Sequence, residues 1–600
     1  MSTFGDLLKY LKIYRRYIGR RLYLVFALAI ATAFTQGFGI SLLLPLLRAS
    51  QTGSGNPEDM GTAEQLLYDL LTWMGIADSM GGILAFIAAV FVGKGLLQFA
   101  RGGYTGYLRA QLLRELKGKL FDAYSEMEYR YYLRENTGHF INVINQQVNR
   151  FFGSFSKFTG FLTDTITTAS YFAFALAITW QFTLLAVGIG AGMLFLFKYL
   201  NSYVRALSRR YSEEASTLNK FLVQALQSFK YIASTGQIDH IRTEVMSSVG
   251  RLTGYQFRQK LAGALTSSLK EPVSVLLITG IIALQVVVFE APVAPIFVAL
   301  LLFHRGMQSM MSIQSSWQGV MNQIGSVEMV VEDLEQAKDH EESTGTHTLA
   351  PLSEGLSFHH VHYAYNKEDG DVLRDINIDV PVNQTVALVG ESGAGKSTLV
   401  DMMTLMLRPQ SGTIRIDAVP HDEVDVASWR QQIGYVSQET VVFDDTIANN
   451  ISLWRGDIES DQALRERVIN AAERAHAHHF IRDLPDGYQT VVGDRGVRLS
   501  GGQRQRLFVA RELFKQPNLL LLDEATSDLD TASEQHIQNS IDALKGEVTV
   551  VIIAHRLSTV KNADRVYVLD KGKVIEEGSY EELRMRENGQ FREMVEMQSL

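Results

Sequence analysis

Six stretches of mostly apolar residues, at about 22–47, 83–100, 158–178, 182–200, 272–289 and 296–316, punctuate the first half of the chain. A hydrocarbon core about 30 Å thick needs about 20 apolar residues in helical form, so each stretch predicts a transmembrane helix. Charge orients them. Lys9, Lys12, Arg15, Arg16, Arg20 and Arg21 precede the first stretch with Asp6 as their single acid, which predicts an inner N-terminus. The loop 48–80 carries one cation and five acids, whereas loops 101–157 and 199–270 carry 9 and 10 Lys/Arg. Outer turns at 179–181 and 290–295 hold no Lys or Arg. Six spans return the chain to the inner side.

The two inner loops are too long for plain connections. Stretches 108–124 and 212–226 have helical periodicity and few Gly or Pro, so each loop predicts a helical hairpin with arms of roughly 40–50 Å, at about 1.5 Å per residue. Segment 4–21 is amphipathic and basic. An organelle-targeting peptide shares that composition, but an interfacial helix leading into the first span fits the topology better. In the outer loop, Leu66, Leu67, Leu70, Leu71 and Met74 share one helical face, as a packed cap or as a helix lying against lipid or a substrate tail.

Hydrophobic residues make up 46% of the 600, an average over two different solvents. Up to residue 335 there are 29 Lys+Arg against 22 Asp+Glu; beyond it, 27 against 43. So acidic a second half argues against nucleic acid as a partner. Zero cysteines exclude disulfides, thiolate zinc sites and cysteine nucleophiles. Aromatic residues at 10% exclude disorder.

Past a polar stretch at 338–352, the apolar strand 385–389 enters Gly390-Glu391-Ser392-Gly393-Ala394-Gly395-Lys396-Ser397-Thr398. This is the phosphate-binding loop in its strand–loop–helix setting. Its glycines let backbone N–H groups curl around phosphate at a helix start. Lys396 supplies a charge between phosphates, and the Ser397 hydroxyl suits Mg²⁺. A second buried strand, 519–522, ends in Asp523-Glu524. An Asp there holds Mg²⁺ in phosphate-loop enzymes, and Glu524 is placed to polarise the attacking water. Strand 548–553 leads to Ala554 and His555, within reach of a γ phosphate. Leu499-Ser500-Gly501-Gly502-Gln503 opens another helix and forms a second anion site in a chain with one phosphate loop. That duplication is resolved if the second site closes over the nucleotide of another subunit.

These motifs resemble those of ATP-binding cassette (ABC) exporter half-transporters over nearly the whole chain. The resemblance implies a six-helix membrane domain of exporter type followed by a C-terminal α/β P-loop cassette. Boundaries follow: amphipathic helix 1–21, transmembrane domain 22–337, linker 338–352 and cassette 353–600. It implies adenine stacking on Tyr365 and a Q-loop at Gln438, which would share Mg²⁺ with Ser397 and Asp523. It also implies a switch histidine at His555, a D-loop at 527–530 ending in Asp530, and an exporter-specific loop at 490–496. The D-loop reads Ser-Asp-Leu-Asp where Ser-Ala-Leu-Asp is usual. Nucleotide contacts fall to Gly390, Ser392, Gly393, Gly395, Lys396, Ser397 and Thr398 of one chain and to Ser500, Gly501, Gly502 and Gln503 of the other. The implied assembly is a head-to-tail dimer, of two copies of this chain or of this chain and a relative, with two ATP and Mg²⁺. Coupling helices near 131–138 and 228–237 are expected to dock around Gln438.

Lys94 and Arg305 fall at similar depth, roughly 14–17 Å below the outer edge of their spans. A cation there costs at least about 2.5–3.5 kcal/mol on insertion scales, which makes function the default reading. With His304 and the deeper Arg101, they outline a cavity for an anionic headgroup; the rivals are internal pairing with an acid such as Asp164 and a water-filled vestibule with no substrate contact. Met307, Met310 and Met311 share a face suited to a variable apolar substrate, or to packing. Phe303-His304-Arg305, Trp317-Gln318 and the outer-loop helix resemble, more weakly, the lipid-linked oligosaccharide flippase branch. The histidines at 476, 478 and 479, and at 359, 360 and 362, lack metal-site spacing and read as surface residues. The expectation is an ATP-driven exporter or flippase in a bacterial inner membrane, with N-terminus and cassette cytoplasmic. It would carry an amphiphilic, anionic, lipid-like substrate outward. The alternatives are a peptide, drug or siderophore exporter, and an ATP-gated channel or membrane-tethered regulator.

Overall fold

The computed structural model describes residues 3–50, 62–77, 79–288, 297–366, 370–524, 531–554 and 556–598. The chain parts into two compact units: Met1–Met127 with Tyr131–Glu341, and Glu128–Arg130 with Glu342–Leu600.

The first unit is all helical. It comprises α1 (Thr3–Ile18), α2 (Arg21–Ser41), α3 (Leu43–Ser50), α4 (Thr62–Trp73), α5 (Met80–Ser125), α6 (Tyr129–Arg134), α7 (Thr137–Asn142) and α8 (Val148–Ile178). It continues through α9 (Trp180–Gln227), α10 (Phe229–Ser234), α11 (Ile238–Ser268), α12 (Lys270–Ala283), α13 (Phe297–Met321) and α14 (Ile324–Asp339). Among the described residues five helices are long and apolar enough to cross a membrane: Arg21–Leu46, Met80–Ser125, Thr137–Ile178, Trp180–Gln227 and Ile238–Val287. The sixth stretch lies on α13, 25 residues long, whose His304, Arg305 and row of Ser and Gln dilute its apolar content. At about 1.5 Å per residue, α5 runs on for roughly 38 Å past residue 100, and α9 for roughly 40 Å past residue 200.

Packing explains the shape of α1. Tyr10, Tyr14 and Ile18, spaced i, i+4, i+8, are buried against the bundle. The Tyr14 hydroxyl meets Ser154 Oγ at 2.8 Å among Phe151, Phe155 and Phe158. The apolar face therefore meets protein, not lipid. In the outer loop, Leu71 is buried with Ala77 and Ile83, while Trp73 is 85% exposed. The helix is both cap and exposed surface. Met307, Met310 and Met311 are buried in the helical core, so that stripe is packing, not an adaptable substrate wall.

Short helices cap both inner hairpins: α6 begins two residues earlier than the expected 131–138, and α10 lies inside the expected 228–237. Of the expected linker 338–352, residues 338 and 339 end α14 and residues 342–352 are tied into the second unit. Arg430 forks onto both carboxylate oxygens of Glu342, and Gly345 N donates to Val424 O at 2.9 Å.

The second unit contains two sheets. An antiparallel one is ordered β2-β1-β4-β5, with β1 Gly355–Tyr363, β2 Leu373–Pro381, β4 Ser411–Ile416 and β5 Val419–Pro420. The other is ordered β10-β9-β3-β8-β7-β6, where β3 is Thr385–Gly390, β6 Ile433–Val436, β7 Leu519–Asp523, β8 Thr549–Ile553, β9 Arg565–Asp570 and β10 Lys573–Gly578. Strands β9-β3-β8-β7-β6 are parallel, and β10 closes one edge antiparallel. Every residue of β7 and β8 is buried, as expected for parallel strands covered on both faces. The second unit's helices begin with α15 (Lys396–Met403), α16 (Val426–Arg430), α17 (Ile447–Ser452), α18 (Gln462–Arg474), α19 (His478–Arg482) and α20 (Gly501–Phe514); α15 lies on one face of the sheet, α18 and α20 on the other.

Candidate functional site

Ligand sites in open α/β sheets form beyond the carboxyl ends of the strands. Here β3 and β7 flank β8, and their ends release Gly390–Thr398 on one side and Asp523-Glu524 on the other. Gly393 and Gly395 have φ of +84° and +101°, a region that L side chains rarely adopt. A Cβ on Gly390 would lie 2.2 Å from Leu569 O, so the loop follows the sheet more closely than any side chain permits. A Cβ on Gly393 would meet nothing within 4 Å, so the backbone angle, not crowding, is what calls for glycine there. Lys396 is buried and folds back, its Nζ donating to Gly390 O at 2.8 Å and Glu391 O at 2.9 Å. Burial holds its ammonium below the usual lysine value, partly offset by Glu524 and Asp523.

Gln438, two residues past the end of β6, donates from Nε2 to Glu524 Oε2 at 2.8 Å. Two candidates 86 positions apart in sequence are thus brought together. Glu524 sits at φ +51°, a strained backbone of the kind that collects at functional sites. The Ser397 hydroxyl, the Gln438 amide oxygen and the Asp523 carboxylate are hard oxygen donors suited to Mg²⁺, and Ser397 is exposed at the head of α15. Asp401 on α15, missed in the sequence, is pushed up to about 6 by burial and by the charge of Asp523.

Tyr365 follows β1; its hydroxyl lies 3.2 Å from Thr398 Oγ1, and its ring stands edge-on to Tyr363. The Tyr365 carbonyl accepts from Arg130 Nη2 at 2.6 Å, within the same unit. Ser500 caps α20, and Ser500 and Gln503 satisfy each other's backbone N–H in a capping box. Among the described residues no hydrogen bond or ion pair joins Ser500, Gly501, Gly502 or Gln503 to Gly390–Thr398 of the same chain. His555 and Asp530, with the D-loop, lie outside the described residues.

Arg511 was not singled out in the sequence. It stands in the run Leu507-Phe508-Val509-Ala510-Arg511, and a cation in an apolar helix face is the signal that it is buried and bonded. Its guanidinium donates to Asn450 O, Asn450 Oδ1 and Val441 O, tying α20 to α17 (Ile447–Ser452) and to the segment after Gln438.

In the first unit Lys94 and Arg305 lie close enough to interact electrostatically. Among the described residues neither forms an ion pair. Asp164 accepts from Ser316 Oγ at 2.7 Å, and the cations around it are Lys270, Arg101 and Lys157. Internal pairing of Arg305 with Asp164 is therefore not what the structure contains. Lys157 and Lys270, at the inner ends of their spans, were missed because both read as positive flanks. His304 is held by Ser274 Oγ and Gln308 Nε2, each at 3.0 Å. Trp317 packs on Phe161 and Tyr10, which makes it a core residue. The histidines at 359, 360 and 362 lie along β1, where His360 meets Asp375 at 2.7 Å; no metal-binding cluster occurs among the described residues.

Comparison with known proteins agrees with this geometry. The family model described as "ABC transporter transmembrane region" matches residues 22–311, and the one described as "ABC transporter" matches 373–527. An ATP-dependent lipid A-core flippase of Chromohalobacter salexigens is 30% identical over 524 residues, 86% of this chain and 88% of its own. Another, from Haemophilus influenzae, is 32% identical over 536 residues, with the same two shares. A solved structure of a bacterial Atm1-family ABC exporter with ATP bound superposes with a TM-score of 0.80 at 25% identity, covering 97% of this chain and 100% of the other. A membrane-spanning helical unit, an ATP-binding cassette and relatives of matching length together show that the chain belongs to the ABC transporter family, as an exporter-type half-transporter whose ATPase is coupled to transport.

Proposed function

We propose that this exporter moves an amphiphilic, anionic, lipid-like molecule from the cytoplasmic to the outer side of the membrane. The observation that carries the reading is the cation set among the membrane helices. Lys94 and Arg305 feel each other's charge and have no ion-pair acid among the described residues, and Arg101, Lys157 and Lys270 all act on Asp164 without a direct ion pair to it among those residues. Surplus intramembrane charge needs a partner, and an anionic headgroup supplies it. A cavity of about 810 Å³ lined by Phe34, Phe38, Leu66, Leu70, Ile166 and Phe174, with Ser41 and Ser170 as its polar lining, offers a mostly apolar surface that fits a hydrocarbon tail. The relatives named as lipid A-core flippases favour the same class.

In the cassette, Lys396 and the loop N–H groups bind the phosphates while Tyr365 stacks on adenine. Mg²⁺, held by Ser397, Asp523 and Gln438, would neutralise charge on the phosphates. Glu524, aimed by Gln438, orients the attacking water, and His555 attends the γ phosphate. Ser500 and Gly502 of a second subunit close the site, since their own chain's phosphate loop is not their partner; a second copy of this chain supplies them.

The test is ATPase stimulation in lipid vesicles. Anionic lipids and lipid-linked glycans should raise the wild-type rate, and Arg305→Ala should abolish that stimulation while sparing basal hydrolysis. If stimulation survives in Arg305→Ala, or if only peptides or cationic drugs stimulate the wild type, the substrate class is wrong.

A further inference from the structure

The first inner hairpin turns through residues 126–136, and its flanks converge on one face of α14. Before the turn, Tyr124 at the end of α5 donates to Asp333 Oδ2 at 2.6 Å. After it, His139 on α7 places Nε2 3.0 Å from both Asp333 oxygens. Within the turn, Tyr131 donates to Gln336 Oε1 at 3.1 Å and stacks on His340. Asp333, Gln336 and His340 are spaced i, i+3, i+7, a single stripe along a helix that ends at Asp339, just before the cassette begins.

The cluster is buried and braced from behind. Asp333 is 6% exposed. The second ring nitrogen of His139 lies 3.4 Å from Ser216 Oγ on α9, and the same hydroxyl accepts from Asn142 Nδ2 at 2.7 Å. Gly138 lies so close to α9 that a Cβ would meet the Lys220 backbone at 2.8 Å. The ring of Phe140 seals the group edge-on to Tyr124, centroids 4.7 Å apart. A carboxylate this enclosed needs compensation. Tyr124 gives one neutral hydrogen bond, and the only cation that touches Asp333 among the described residues is a protonated His139.

We propose that Asp333 is a positioning residue for energy coupling. Through His139 and Tyr124 it locks the turn of the first inner loop to α14, and the proton on His139 sets how firmly the lock holds. When His139 is charged, its N–H bond to Asp333 is charge-assisted, about twice as strong as a neutral one. When it is neutral, an N–H can still donate, so the lock loosens without opening. Burial of the ring opposes its charge, but the hydrogen bond to Asp333 on α14, the Asp333 charge and the Glu135 carboxylate before α7 outweigh it and raise the imidazole above its usual value; the Tyr124 phenol, which shares Asp333, is neutral. Tightening of the cassettes would then pull the hairpin most efficiently below the titration of His139.

The experiment measures ATPase rate against pH from 5.5 to 8.5 for the full chain in lipid vesicles, with KM for ATP at each point. Wild type should show a step in kcat within the histidine range, faster on the acid side, at constant KM. His139→Gln keeps a donor but cannot titrate, and should flatten that step while folding normally. Asp333→Asn should lower kcat at least threefold with KM unchanged, and Asp333→Glu should restore part of it. A step that persists unchanged in His139→Gln overturns the proposal, as does a loss in Asp333→Asn that appears in KM and not in kcat. Tyr124→Phe, the mildest change, guards against misfolding: it should shift the step without abolishing activity, and an identical profile to wild type counts against the lock.

Discussion

Replacing Arg511 with Met removes a fork that holds the helix bearing Ser500–Gln503 against the segment following Gln438. The arginine is 3% exposed, and its three bonds measure 2.7 Å to Asn450 O, 2.8 Å to Asn450 Oδ1 and 2.7 Å to Val441 O. Burial pushes its guanidinium down to about 10, so it stays charged at neutral pH. Methionine fills much of the volume but donates nothing. Asn450 Oδ1 keeps the Phe443 N–H at 2.9 Å and Val441 is exposed, so chiefly Asn450 O is left buried without its partner, at about 1–3 kcal/mol; the other two lost bonds add about 1 kcal/mol each. Better apolar packing returns about 1–2 kcal/mol, for a net loss of about 1–4 kcal/mol. At about 2–4 °C per kcal/mol for a domain of this size, the cassette transition should fall by about 7 °C. Scanning fluorimetry of the full chain in detergent, with the cassette transition identified by its response to ATP, measures the shift. Arg511→Lys keeps the charge without the fork and should fall between. A shift below about 2 °C in Arg511→Met, with ATPase unchanged, would refute the reasoning about buried acceptors.

Glu524→Gln preserves shape and the contact with Gln438 but not the basic oxygen; hydrolysis should fall by about 10²–10⁴-fold while filter-binding shows ATP retained. Gly390→Ala drives a Cβ to 2.2 Å from a backbone oxygen and should lower the thermal transition strongly, whereas Gly393→Ala, with nothing within 4 Å of its Cβ but a φ of +84°, adds only backbone strain of about 1–3 kcal/mol and should lower it less. Asp417 accepts N–H bonds from Ser353, Glu354 and Gly355, which hold its carboxyl below the usual value. A lowered folded value means stability present above about pH 3.9 and lost as pH falls through the folded value. The melting-point gap between wild type and Asp417→Asn should therefore be full at pH 7 and close below about pH 4.

How far the sequence carried depended on the range of each interaction. Transmembrane helices were legible because a run of apolar residues is sufficient cause for a span, whatever it packs against. The phosphate loop was legible because Gly390, Gly393 and Gly395 serve a backbone shape set within nine residues. Asp523 and Glu524 could be read from one buried run, Leu519 to Leu522. The fate of Met307, Met310 and Met311 could not, since substrate wall and core present the same helical stripe. The amphipathic α1 shows the same limit: its pattern required a surface to cover but did not say whether that surface was lipid or Phe151, Phe155 and Phe158.

By itself, then, the sequence determined the division into a membrane-spanning part and a nucleotide-binding part, and the glycine loop that joins β3 to α15. Each rests on periodicity, local charge or a contiguous motif. Only the tertiary structure decided which polar groups meet. Asp333 joins Tyr124 across 209 positions and His139 across 194, Arg511 reaches Asn450 across 61, and Asp164 accepts from Ser316 across 152. The physical reason is that a buried charge must find a compensating group, but which group lies within 3 Å is fixed by how helices pack, a property no short window of residues contains.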